Sequence, residues 1–120
     1  MKNNKYYRVY AEINLDAIVK NVDNLMALTK ENTGALAVVK ADGYGHGDVA
    51  VAKAVAQKVT GYAVATLDEA VNLRENGVKK PILVLGYVDP YEFDILVSHE
   101  ITATVFDVET AQLLADAARV

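Results

Sequence analysis

The chain has 120 residues, 52% of them hydrophobic, with 12 basic against 16 acidic side chains and a net charge of −4. That length supports one core and falls well short of the roughly 250 residues of a complete (β/α)8 barrel. No basic block stands out, which argues against nucleic-acid and anionic-membrane partners, and the lack of cysteine excludes a disulfide framework, a zinc knuckle and a thiol nucleophile. The stretch Met1–Arg8 is polar and aromatic, unlike a secretory leader. Apolar runs such as Ala35–Val39 and Ile82–Leu85 are too short to span a bilayer. The expected location is the cytoplasm, where a chain without cysteine is at home.

Strand and helix patterns alternate along the chain. Val9–Ile13 reads as a first strand, with Val9, Ala11 and Ile13 on one parity. Asn14 is placed to cap a helix whose apolar face is Leu15, Ile18, Val19, Val22, Leu25 and Met26, with Thr29 in phase. Asn32-Thr33-Gly34 is its stop signal. Ala35–Lys40 is a short apolar strand, followed by a glycine-rich loop. Asp48 then offers a cap for a helix burying Val51, Ala52, Val55, Ala56 and Val59. Tyr62–Ala65 is the next strand. Thr66 and Glu69 have capping-box spacing, and the helix they open is expected to end at Gly77. Pro81 precedes the strand Ile82–Leu85, and Asp89-Pro90 reads as a cap with proline at the first helical position. Ile101–Phe106 is a strand, and Asp107 caps a last helix through Val108, Ala111, Leu114, Ala115 and Ala118.

The strand ends near Lys40, Ala65, Leu85 and Phe106 recur at intervals of 25, 20 and 21 residues, one strand and one helix per interval. Short apolar strands separated by helices predict a parallel sheet covered by helices. Periodicity alone does not choose between a barrel and an open doubly wound sheet. The last helix reaches Ala118-Arg119-Val120 without a Gly, Asn or Pro stop, and four such units of an unclosed barrel leave unpaired edges. The expectation is therefore the N-terminal part of a longer chain, against a small four-stranded α/β domain as the alternative.

The segment Ala37–Gly47 carries the chemistry. Strand parity puts Leu36, Val38 and Lys40 on one face and Val39 on the other. Lys40 then stands at a strand's C-terminal end, where parallel α/β folds bind ligands. Apolar walls strip hydration from its charged form and favour the neutral amine, which attacks aldehydes to form a Schiff base. The alternative is a lysine that covers apolar surface with its stem and keeps its charge in water. Gly43, Gly45 and Gly47 alternate with Tyr44 and His46, which suits either close approach of backbone to a ligand or a tight strand-to-helix turn. A dinucleotide fingerprint needs two residues between its second and third glycines, and only His46 lies between Gly45 and Gly47. His46 is expected to be structural or a supporting donor, His99-Glu100 to sit on a solvated turn, and Arg74 to face solvent.

Ala37–Gly47 resembles the pyridoxal-phosphate (PLP) motif of alanine racemases. Tyr10–Ile18, Ala63–Ala70 and Pro81–Gly86 resemble the family's opening and its next two strand–helix units, with Tyr10 where many members have tryptophan. The resemblance implies the N-terminal part of a (β/α)8 TIM-type barrel, about half of it present, joined in the whole protein to a C-terminal β domain. Residues 1–14 would be an N-terminal strand segment belonging with that β domain, and residues 15–120 a partial PLP-binding barrel. It implies that Lys40 carries PLP and is one of two catalytic bases. Tyr44 would lie by the cofactor and help hold its phosphate, and Val38 and Leu85 would line the pocket.

The implied reaction interconverts L- and D-alanine by removal and return of the Cα proton, supplying D-alanine for bacterial cell-wall peptidoglycan. The implied partners are alanine and a second subunit in a homodimer. The second base, a tyrosine of that subunit, and most of the phosphate site lie beyond Val120, so these 120 residues alone are expected to be inactive. The alternatives are a serine racemase of the same fold and a non-catalytic PLP carrier on a similar barrel.

Overall fold

The computed structural model describes residues 8–119. Its elements run α1 (Leu15–Met26), β1 (Leu36–Val38), α2 (Asp48–Ala54), β2 (Gly61–Val64), α3 (Leu67–Glu75), β3 (Ile82–Val84), a 3-10 turn (Pro90–Glu92), α4 (Phe93–Ser98), β4 (Thr102–Ala103) and α5 (Val108–Ala117).

The strands form one parallel sheet in the order β1-β2-β3-β4. Val38 pairs with Ala63, Val64 with Val84, and Val84 with Ala103. Each strand lies beside the one before it, with no reversal of order. A doubly wound sheet reverses order at a switch point and carries helices on both faces. Here the helices cover one face. Tyr62, Val64, Ile82 and Val84 are buried with Val51, Ala52 and Val55 of the α2 region and Ala70 and Leu73 of α3. On the opposite parity Leu36, Val38 and Leu85 are 48%, 43% and 42% exposed. Sequential parallel strands with helices on one side are the wall of a (β/α) barrel, seen here over four strands.

Side-chain caps set most helix starts. The Asn14 carboxamide oxygen accepts from Ala17 N at 3.0 Å, Asp89 accepts from Tyr91 N at 3.0 Å ahead of Pro90, and Asp107 accepts from Thr110 N at 2.7 Å. That last bond, stronger to the charged carboxylate, holds the Asp107 carboxyl below its ordinary range. Thr66 and Glu69 form the expected reciprocal box at α3, and Gly77 follows the helix at φ +88°. Within the core, the Tyr62 hydroxyl donates to Ala52 O at 2.6 Å, and burial pushes its phenol up from the usual range.

Five expectations need correction. Val9–Ile13 forms no strand, because no described strand lies beside it to take its hydrogen bonds, and Val9 and Tyr10 are largely exposed. Helix α1 stops at Met26, before the Asn32 signal. The Thr29 hydroxyl turns back to Met26 O at 2.7 Å, and Asn32 takes φ +66°. Asp48 is the first residue of α2 rather than its cap, and it is Asp42 that accepts the Asp48 amide, at 3.1 Å. Strand β4 is confined to Thr102–Ala103. Beyond it Thr104 directs both its amide and its hydroxyl to Val84 O, at 3.2 and 2.8 Å, and Val105 and Phe106 are exposed. Arg74 does not face solvent: its guanidinium donates to the carbonyls of His99, Val78, Lys80 and Glu100, each at 2.8 Å. Among the described residues no helix is long and apolar enough to cross a membrane.

Candidate functional site

The site is built where β1 gives way to α2. Val39 closes the strand: its amide donates to Ala63 O at 2.9 Å and its side chain is buried on the helix side. Its ψ of 20° turns the chain out of extended geometry. Lys40 therefore does not end the strand, as parity suggested, but opens a turn.

That turn is left-handed. Ala41, Asp42, Gly43 and Tyr44 have φ of +51°, +54°, +60° and +55°. Left-handed helical geometry costs an L-residue about 1–2 kcal/mol, and three of the four are not glycine. The local sequence reduces the conflict, with no β-branched residue between Lys40 and Gly47 and an aspartate that tolerates this region. Gly43 has a second reason to be glycine, since a Cβ there would sit 3.3 Å from Asp48 N. Strain of this kind collects at functional sites and persists only where the surroundings hold it.

Hydrogen bonds supply the hold. Gly43 N donates to Val39 O at 2.9 Å and Gly47 N to Asp42 O at 2.9 Å. His46 places Nδ1 3.1 Å from Gly43 O, donating to that carbonyl, which is the supporting role expected of it. Asp48 accepts from Asn72 Nδ2 of α3 at 3.0 Å. The Glu69 carboxylate accepts from Ala41 N at 2.8 Å through one oxygen, and from Ala65 N at 2.6 Å and Thr66 N at 3.3 Å through the other.

The turn brings two of the four expected site residues together: Lys40 Nζ stands 5.8 Å from the centroid of the Tyr44 ring, within cation–π range for the ammonium form. Lys40 is half-buried and Tyr44 is 60% exposed. Val38 and Leu85 lie at the same end of the sheet, at the C-terminal ends of β1 and β3, two strand spacings or about 10 Å apart with β2 between them. The Leu85 amide donates to Val64 O at 2.8 Å, which fixes its position on the open face. Both walls are open in these residues, so the dry setting expected around the amine is not built by this segment alone. Sequence reasoning missed Glu69 and Asp42 as supports of the turn. The Thr66-x-x-Glu69 spacing was the available signal for Glu69, and it announces only a helix start.

A lysine at the head of the turn after β1, beside a tyrosine ring at the C-terminal rim of a barrel wall, defines a class: an α/β-barrel protein with an amine at the end where such folds bind ligands. Residues 13–120 match the alanine racemase N-terminal domain family, and the chain belongs to that family. It is 41% identical over 120 residues to alanine racemase 1 of Oceanobacillus iheyensis, covering 99% of this chain and 32% of that protein. The solved alanine racemase of Clostridium difficile 630 superposes with a TM-score of 0.91 at 42% identity, covering 95% of this chain and 31% of that one. A histidine racemase of Leuconostoc mesenteroides superposes at 0.78 with 29% identity, covering 88% and 28%. The chain thus spans about a third of the length of the relatives it matches.

Proposed function

We propose that these residues form the lysine-bearing part of the barrel of a PLP-dependent alanine racemase, with residues 15–120 in the barrel and residues 1–14 belonging with a separate β domain. One observation carries the proposal: in a member of this family, the strained turn after β1 sets the Lys40 amine under the Tyr44 ring. A primary amine beside a phenol, at the sheet end that also carries the apolar Val38 and Leu85, fits a flat heteroaromatic aldehyde. The amine answers the aldehyde, and the apolar side chains answer the ring.

Lys40 is the residue that would hold the cofactor, with Tyr44 at its edge and near its phosphate and with Val38 and Leu85 excluding water from the ring. PLP, when bound, supplies an electron sink that lets the Cα–H bond of an amino acid break heterolytically. The Lys40 amine would accept the Cα proton on one face in one direction of the reaction and deliver a proton to that face in the other, as a positioned general base and acid. Racemisation needs a second base on the other face, and we assign it to the partner subunit of a homodimer. The whole enzyme would be cytoplasmic and supply D-alanine for peptidoglycan. The choice of alanine over serine rests on residues outside this segment, in keeping with the likeness to a histidine racemase.

Two assays test the proposal. The full-length protein with PLP is expected to interconvert L- and D-alanine faster than serine, and Lys40→Ala to abolish turnover while leaving the fold intact. Ordinary turnover by Lys40→Ala would remove Lys40 from the reaction, and faster turnover of serine would reassign the substrate. Residues 1–120 alone are expected to show no racemisation. Activity there would place the second base within this chain.

A further inference from the structure

We infer that Glu69, a residue of the neighbouring strand–helix unit, is the positioning residue that holds the Lys40 turn in its strained form; the inference rests on the function proposed above. The geometry exceeds what a helix cap requires. A capping box needs one bond from the N3 side chain to the N-cap amide, and here that bond, to Thr66 N, is the longest of three at 3.3 Å. The shorter two run to Ala65 N at 2.6 Å and to Ala41 N at 2.8 Å, the latter spanning 28 residues of sequence. Ala41 follows Lys40 directly and is the first residue of the left-handed run.

One carboxylate therefore bridges the C-terminal end of β2 and the first peptide of the turn. A charged acceptor between two backbone amides makes strong bonds, and both of its oxygens are used. Asp48 provides a second tie between the same elements, accepting from Asn72 of α3 while its amide donates to Asp42. With the turn clamped at Ala41 and Asp42, the four-residue spacing that brings Tyr44 to Lys40 is held. The hydrogen bonds of the Glu69 carboxylate all go to backbone amides and none to the Lys40 or Tyr44 side chain, so it acts through the turn.

The choice of carboxylate can be tested against amide. Gln satisfies a capping box, but its carboxamide has one accepting oxygen, and its NH2 would face a second N–H donor. Glu69→Gln therefore keeps the helix cap and loses the clamp, whereas Thr66→Ala weakens the cap and keeps the clamp. In the full-length protein without cofactor, Glu69→Gln is expected to speed amide hydrogen exchange at Ala41, Gly43 and Gly47 by about tenfold or more, the scale of one charge-assisted bond, with α3 little changed. Thr66→Ala is expected to speed exchange in the first turn of α3 and leave the Lys40 turn alone. On adding PLP, measured by visible absorbance, Glu69→Gln should bind about tenfold more weakly than wild type and Thr66→Ala nearly as well. Exchange and PLP binding at wild-type levels in Glu69→Gln would overturn the inference while leaving the proposed function standing. Equal losses in both variants would also overturn it, by reducing Glu69 to a helix cap. A wild-type protein that gains no absorbance with PLP overturns the proposed function, and the role of Glu69 with it.

Discussion

The two ends of the sheet are built on opposite terms. At the N-terminal ends of the strands, Arg74 closes four carbonyls of the loops that lead into β3 and β4. There Lys80 donates to Val59 O, and Thr60 N to Ala35 O. At the C-terminal ends, three non-glycine residues stand in left-handed geometry beside an open apolar face. Non-glycine residues at positive φ occur at both ends, singly at the first (Asn32 and Glu100) and as a run around Gly43 at the second (Ala41, Asp42 and Tyr44), where Glu69, Asp42 and Asp48 restrain it. Barrels concentrate stability at one end and chemistry at the other, and the contrast is visible here within four strands.

Breaking the stable end should give the largest effect on folding. Arg74→Ala removes four charge-assisted bonds at a half-buried position, and we expect a loss of about 2–4 kcal/mol in urea unfolding of the full-length protein, with PLP bound normally by the molecules that remain folded. A loss of binding with no loss of stability would reverse the division between the ends. Gly43→Ala strikes the strained end. It forces a Cβ into left-handed geometry 3.3 Å from Asp48 N, for an expected cost of about 1–2 kcal/mol. PLP binding should weaken along with stability, unlike in Arg74→Ala.

Tyr62→Phe probes the layer between the ends. Losing the bond to Ala52 O should cost about 1 kcal/mol. It should also change the alkaline limb of stability. The folded state keeps a phenol proton that the unfolded chain releases near pH 10. Wild-type stability from this group is therefore full below about pH 10 and falls as pH rises toward the raised native value. The Phe variant should lack that fall, and an unchanged alkaline profile would remove Tyr62 as its source. The smallest effect is expected at Asp107. Its carboxyl is held low by the Thr110 amide, so its contribution is present above about pH 4 and fades as pH falls through the native value. Asp107→Asn keeps the cap, and its acid unfolding should begin at slightly lower pH.

What was legible in the sequence is what is local. Asn14, the Thr66–Glu69 box, Asp89-Pro90 and Asp107 announce helix starts because a cap and its amide lie two or three residues apart. The Gly43-Tyr44-Gly45-His46-Gly47 spacing announces a glycine-rich loop after β1, but parity carries the strand on to Lys40, whereas it ends at Val38 and Lys40 opens the turn. The hand of that loop was not legible, since Ala41 and Tyr44 have no intrinsic preference for positive φ and are held there by contacts. The same holds for Arg74, which looked like a solvated helix residue, although its acceptors lie 4 to 26 residues away. Strand lengths at the margins were overestimated because β4 and Val9–Ile13 depend on neighbours that apolar alternation does not reveal.

The central claim is that the Lys40 amine takes the aldehyde of PLP. Borohydride reduction of the full-length protein with PLP, followed by peptide mass mapping, tests it most directly. The expected result is the added pyridoxyl mass on the peptide that contains Lys40. That mass on Lys53, Lys79 or any other lysine instead, or on none, would contradict the claim.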